Sequence, residues 1–380
     1  PRAEADRAAP ADNRPARGIT LADAWARFED TQPSRDMARA IRSAGDLVTG
    51  ILGGDRPLAE VGPADITTVR DVLQRLPKNH GKSSRDTAPP VHVADAADAR
   101  ERDERQHLDE QFEFGRIDRK TYDLKKDQAR VPRISPQQVN NHIDRITGLF
   151  KFAKRHGLFA GDVPTDGLRF SKSAIKRAKT EGRATDRRPW GIDGLRALFT
   201  TSIFTSANRA AGEPLFWAPL MAFLTGCRCE EILQAQVTDF ETVEGVACFR
   251  VRPGDGRRLK TPNAERTIPL HPLLIEAGLL ELVAKRKREG ALWLFPMLDR
   301  GAVDDTFTEK FTKRFTRYRH EEGIYDPRRD FHSLRSDFNA LLARSGVPLA
   351  ARQRLMGHEV SELADSTYDP HGEPMPERRR

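Results

Sequence analysis

Apolar residues recur at helical spacing through most of this chain. Leu21, Trp25 and Phe28 share one helical face. A second helical run ends at Gly53-Gly54, and Pro63-Ala64-Asp65-Ile66 opens a third that Pro77 closes. The strongest pattern starts at Ser135-Pro136, a capping residue with proline at the first helical position. Val139, Ile143, Ile146, Leu149, Phe150 and Ala153 then form one stripe, and Gly157 is placed to cap its end. From Pro189-Trp190 the pattern resumes, with GIDGLRALF as a helix and FWAPLMAFLTG as a buried helix ending at Gly226. A further helix is predicted from about Cys229 to Gln236. VACFRVR and RTIPL have short strand character, with Gly254-Asp255-Gly256 as a turn between them. Helices are predicted again over LLIEAGLLELVAKRKR, TEKFTKRFTRYRHEE, SLRSDFNALLARS and LAARQRLMG.

Two stretches interrupt this periodicity. Residues 78–130 are strongly polar; part reads as one exposed helix and part as a mobile segment or insertion, with no predictable path. Residues 165–190 carry eight basic residues (Arg169, Lys172, Lys176, Arg177, Lys179, Arg183, Arg187, Arg188) against three acids, with little apolar content. The expected organisation is therefore a flexible arm at 1–18, a helical domain at 19–164, a basic linker at 165–188, a second domain at 189–370 and a tail at 371–380. The predicted fold class is mainly α with a small β-sheet.

Charge and composition narrow the partners. The formal charge of +8 favours a polyanion, and a basic linker between two domains can track a phosphate backbone. No apolar run approaches the roughly 18 residues of a membrane span, and residues 1–18 hold no apolar segment of signal-peptide type. Cys227, Cys229 and Cys248 fit no disulfide framework and no zinc spacing, which points to buried thiols in a reducing compartment.

The last third of the chain scatters six chemically coherent residues. Arg228 follows a buried helix and a glycine, with Glu231 placed to orient it, and a guanidinium so held can grip two phosphate oxygens. Lys260 falls near the tip of the hairpin expected from the two strand-like segments, where it can protonate a leaving oxygen. His332 and Arg335 stand at i and i+3 on one face of a helix start. His358 follows a glycine at a helix end, and Tyr368 sits in the polar segment STYDP. Taken singly, Arg228 reads as a salt-bridge partner and Lys260 as a solvated turn lysine. Together the six suit attack on a phosphodiester without metal. Two arginines neutralise the non-bridging oxygens, while histidines and a lysine supply hydrogen bonds and protons. A tyrosyl hydroxyl, ordinarily of pKa about 10, is the nucleophile. No paired carboxylates at metal spacing accompany them.

The ordered motifs TGCRCEE, KT…ERTIPLHP, HSLR, LMGH and then Tyr resemble the tyrosine recombinase (phage integrase) family over most of 189–370. The resemblance implies that Arg228 and Arg335 bind the scissile phosphate, Lys260 is the general acid for the 5′-hydroxyl, His332 and His358 assist, and Tyr368 forms a 3′-phosphotyrosyl bond. Glu231 corresponds to the acid supporting the first arginine, and Asp239 to an acidic position of more structural role. Residues 189–370 are then a mixed α/β catalytic domain. The first domain looks, more loosely, like the family's helical core-binding domain, best over SPQQVNNHIDRITGLFKFAKRHGLF.

The implied protein is a site-specific DNA recombinase needing neither metal nor cofactor. Its partner is duplex DNA with specific recombination sites. It is expected as a homotetramer on paired sites and a monomer or dimer off DNA. Its place is cytoplasmic and nucleoid-associated, in a prokaryote or phage. Two alternatives share the residue set: a type IB-like topoisomerase and a catalytically silent DNA-binding relative. The polar 78–130 departs from the family's compact pattern, and the proline-bearing tail HGEPMPERRR is a poor helix for docking on a neighbouring subunit.

Overall fold

The computed structural model describes residues 18–81, 87–180, 187–259, 264–302 and 304–359. These fall into two compact units, one up to residue 185 and one from residue 186. The arm at 1–17 and the tail at 371–380 lie outside the described residues.

The first unit is helical. Its elements are α1 (Leu21–Asp30), α2 (Arg35–Leu52), a short 3₁₀ turn (Leu58–Glu60), α3 (Pro63–Arg75), α4 (Pro90–Glu113), α5 (Arg119–Gln128), α6 (Pro136–Arg155) and α7 (Lys172–Thr180). Thr20 and Ser34 cap α1 and α2 by accepting backbone N–H groups of the first turn. Ser135 and Gln138 form a capping box that starts α6, with Pro136 at its first position. The whole predicted stripe of α6 is buried, against Leu21, Trp25, Val48, Ile66 and Leu73 from the earlier helices.

The described part of the polar stretch 78–130 contains the expected helix and a second one. It supplies α4 and α5, and α4 packs on α2 and α3. Its buried positions in α4 are small or widely spaced: Pro90, Ala94, Ala97 and Leu108, with Val91 and Val93 packed on the core. Ion pairs flank this contact. Arg75 reaches Asp95 and Asp98, and Arg133 reaches Asp98 at 2.8 Å and Glu101 at 3.1 Å. α5 folds back so that Tyr122 stacks on Phe112, ring centroids 4.7 Å apart.

The segment read as a linker is also largely folded. Leu168 and Phe170 pack on the first unit's core. Buried Asn140 accepts the N–H of Phe170 at 2.8 Å and donates to its carbonyl at 3.0 Å, and α7 follows directly. Residues 165–180 thus belong to the first unit.

The second unit contains α8 (Gly191–Phe199), α9 (Ser206–Ala211), α10 (Pro214–Thr225), α11 (Cys229–Leu233), a 3₁₀ turn (Val237–Asp239), β1 (Phe240–Val243), β2 (Val246–Val251) and β3 (Arg266–Pro269). The helices α12 (Pro272–Glu276), α13 (Leu279–Arg288), α14 (Phe307–Glu321), α15 (Phe331–Arg344) and α16 (Leu349–Met356) complete it. α10 is buried on nearly every side and packs against α15, as expected of a helix with no polar face. The strands form an antiparallel sheet in the order β1-β2-β3, with Phe240 opposite Phe249 and Phe249 opposite Ile268. β1 was not foreseen, and the helix predicted over LLIEAGLLELVAKRKR breaks at Ala277-Gly278 into α12 and α13. The helix predicted to Gln236 stops at Leu233, because Gln234 and Gln236 turn their amides onto the backbone of the β2–β3 connection. No described helix is long and apolar enough to cross a membrane.

Candidate active site

The site is organised by two helix ends. α10 terminates at Gly226, whose φ of +67° is the left-handed conformation that favours glycine. Phe338 of α15 closes over this position, so a Cβ there would meet its ring at 2.3 Å. The chain can then turn sharply into Cys227 and Arg228. α16 ends in the same way at Gly357, with φ +60°, and a Cβ there would lie 2.8 Å from a terminal nitrogen of Arg266.

Arg228 caps α11. Its backbone N–H donates to Glu231 Oε2 at 2.8 Å, and its Nη1 donates to Glu231 Oε1 at 2.7 Å. The neighbouring carboxylate, Glu230, turns the other way and accepts the N–H groups of Phe307 and Thr308, fixing the start of α14. Burial alone would raise the Glu231 carboxyl. The charge of Arg266, then the bonds from Arg266 and Arg228, outweigh this and hold it below the usual carboxylate range.

Arg335 is 2% exposed on α15. It donates through Nη1 to the carbonyl of Gly226 and through Nη2 to that of Met356, and Nη2 also stands 2.8 Å from His358 Nε2. Burial, and then Arg228, hold its pKa down to about 10, which leaves it cationic at neutral pH. Because Arg335 can only donate, His358 Nε2 must accept, which puts the imidazole proton on Nδ1.

His332 lies one residue into α15, behind an Asp330–Ser333 capping box. Loss of hydration first, then the charges of Arg187 and Arg335, lower its pKa; for His358 the order is loss of hydration, Arg335 and Arg228. Position near a helix N-terminus adds to the penalty on the His332 imidazolium. Both rings are therefore more often neutral than charged at and above the ordinary histidine value of 6.5. Folded pKa values below the unfolded one mean that the unfolded chain binds these protons more readily. Their contribution to stability is present above 6.5 and is lost as pH falls through and below it. The acid limb of a pH–rate profile for the reaction proposed below is accordingly expected beneath pH 6.5. Single-turnover rates at DNA concentrations well below saturation, from pH 5 to 8, check this, and a histidine limb above 7 would contradict it.

Asp239 is buried away from these groups. It accepts the N–H of Gln236 at 2.8 Å and pairs with Arg252 at 2.9 Å and with Arg257, so it anchors the base of the β2–β3 connection. Gln234 binds both backbone groups of Arg258 there, at 2.8 and 2.9 Å. Lys260, two residues on, lies outside the described residues, as does Tyr368.

Among the predicted DNA contacts, Arg183 lies outside the described residues and Lys179 is described only in its backbone. Lys172, Lys176 and Arg177 are exposed on α7. Arg169 is exposed but paired with Asp144. Exposed Arg187 grips Asp330 Oδ2 at 2.7 Å, and the Arg188 N–H donates to the Arg328 carbonyl at 2.8 Å. Trp190 follows, its N–H on Asp337 Oδ2 at 2.8 Å and its indole on the Asp330 carbonyl at 3.0 Å. Residues 187–191 are thus laced to the helix that carries His332 and Arg335.

Sequence reasoning passed over Arg266, Trp190 and Asp337. Arg266 had a legible signal, since it sits two residues before Ile268 and so shares that residue's buried strand face. An arginine at an inward position demands buried acceptors.

Residues 203–371 match the model of the phage integrase family, a range that includes all six residues of the predicted set. By sequence alone, no curated protein matches the chain significantly. Among solved structures, the chain is similar to the Tn1549 transposon integrase (residues 82–397) in complex with circular intermediate DNA. The identity is 14%, the TM-score 0.55, and the match covers 93% of this chain and 96% of that one. It is also similar to a lambda integrase dimer bound to a COC′ core site, at 15% identity and TM-score 0.50, covering 94% of this chain and 79% of that one. A lambda integrase tetramer bound to a Holliday junction matches at 15% identity and TM-score 0.51, covering 91% and 80%. The family match thus covers residues 203–371, and the solved structures share the chain's fold.

Proposed function

We propose that this protein is a tyrosine site-specific recombinase. It cleaves and rejoins duplex DNA through a 3′-phosphotyrosyl intermediate. The observation that carries the reading is the charge of the cluster: Arg228, Arg335 and Arg266 converge around a single carboxylate, Glu231. Such an excess of buried positive charge is stabilised by an incoming anion.

In this reading Arg228 and Arg335 hold the non-bridging oxygens of the scissile phosphate. The Tyr368 oxygen forms a bond to phosphorus as the bond to the 5′-oxygen breaks. The tyrosyl proton passes to solvent water, and Lys260 gives a proton to the leaving 5′-oxygen. His358, neutral and carrying its proton on Nδ1, and neutral His332 offer hydrogen bonds to the phosphate without adding to the charge. The phosphodiester count is unchanged, so a 5′-hydroxyl can reverse the step and rejoin the strand without an energy source. The exposed cations of α7, with Arg187 and Arg188, supply backbone contacts in the same reading. The lambda integrase structures hold a dimer on a core site and a tetramer on a Holliday junction. We carry over duplex DNA as the partner and a homotetramer on paired sites.

The test is covalent trapping. The protein is incubated with a pool of nicked duplexes, denatured, and the DNA that stays attached is sequenced. Recovery of a defined sequence, undiminished in EDTA, is the expected result. Adducts without sequence preference, with relaxation of arbitrary supercoiled plasmid, would favour a topoisomerase instead, and no adducts at all would leave a DNA-binding protein.

A further inference from the structure

Three successive carbonyls at the end of α16 are each taken by a different arginine. Arg266 Nε donates to Leu355 O at 2.7 Å, Arg335 donates to Met356 O, and Arg228 Nη2 donates to Gly357 O at 3.3 Å. A helix C-terminus leaves such carbonyls unpaired and carries partial negative charge, so cations there are favourable. His358 is the next residue, and its own N–H returns to Gln353 O at 2.9 Å.

The three arginines are not equivalent. Arg335 reaches His358, and the charges of Arg228 and Arg335 act on both His358 and His332. Arg266 is buried and its bonds are all internal: Leu355 O, Ala264 O at 2.7 Å, and Glu231 Oε2 at 2.8 Å, with Cys227 Sγ at 3.5 Å. Its side chain is only 7% exposed. It holds Glu231, the partner of Arg228, and it caps Leu355 O three residues before His358. Glu231 is shared between Arg266 on one oxygen and Arg228 on the other. The close approach at Gly357 is the mark of this packing.

We propose that Arg266 is a positioning residue for strand cleavage. By joining Glu231 to the Leu355 carbonyl near the end of α16, it sets Arg228 on one side and the turn into His358 on the other. The role rests on the DNA-cleaving reading above. Without Arg266, Glu231 has one cation instead of two, and the end of α16 loses a cap. Arg228 then has no fixed position against the phosphate. Displacement of a catalytic group by about 1 Å costs on the order of a hundredfold in rate.

The experiment uses the full chain and a duplex recovered by covalent trapping, prepared in two forms. One carries an ordinary scissile phosphate. The other carries a methylphosphonate there, which has no charge for a guanidinium to neutralise. Arg266→Met keeps the bulk of the side chain and removes its donors; Arg266→Lys keeps the charge and restores only part of the bonding. The rate of adduct formation at saturating DNA is expected to fall about a hundredfold in Arg266→Met on the phosphate, and less in Arg266→Lys. On the methylphosphonate the defect should shrink to within about tenfold, because the misplaced guanidinium is no longer needed there. Equal defects on both substrates, or no defect on either, would overturn the role of Arg266. Should Arg266→Met fail to fold, Arg266→Lys alone carries the comparison. Failure of the unaltered chain to form adducts on the phosphate overturns the cleavage reading itself, which separates the two outcomes.

Discussion

Arg335→Ala is expected to lower the rate of strand cleavage by about a hundred- to a thousandfold while duplex binding persists. Few side chains here have more depending on them. Arg335 is nearly inaccessible and bonds the end of α10 at Gly226, the end of α16 at Met356, and His358. Its loss removes a cation from the proposed phosphate pocket and frees His358 to choose the other tautomer. It also leaves two buried carbonyls unpaired, at about 1–3 kcal/mol each. Relief of repulsion against Arg228 and Arg266 offsets part of that cost, since both charges act on Arg335. Arg335→Lys is no rescue, because one ammonium cannot span both helix ends in the planar fork of a guanidinium. Single-turnover adduct formation, read beside thermal denaturation of each variant, separates chemistry from folding. Cleavage at the unaltered rate by a folded Arg335→Ala protein would remove this residue from the site.

The second large effect is expected from Tyr368→Phe, which should form no covalent adduct on any duplex. The change deletes one oxygen, that of the proposed nucleophile, and the hydroxyls beside it in sequence, Ser366 and Thr367, have higher intrinsic pKa values. DNA affinity should stay within a few-fold, because the proposed phosphodiester grip comes from the arginines. Gel-shift titration and denaturing electrophoresis on the same samples measure both. A variant that binds normally and still traps DNA would assign the nucleophile elsewhere.

What the sequence reveals and what it hides have physical reasons. The stripe of α6 was legible because large apolar residues recur at fixed spacing on a capped helix. A helix was expected in the stretch that holds α4, but its packing was not, because Ala94 and Ala97 bury little surface and Arg75, Arg133 and their carboxylates read as solvated charge. The residues near 170 looked like linker because Asn140, a polar residue, holds that segment in place. At the site, Arg228 and Glu231 could be paired from their spacing, and the bond exists. The bonds from Arg228, Arg266 and Arg335 to the end of α16 could not be foreseen. Their acceptors are backbone carbonyls, which every residue has and no residue type signals.

The central claim is a covalent bond between Tyr368 and DNA. Its most direct measurement is proteolysis of the trapped adduct followed by mass spectrometry of the nucleotide-bearing peptide. The account predicts a single modified residue, Tyr368, joined to a 3′-phosphate. A nucleotide on another residue, or a 5′-phosphate linkage, would contradict it.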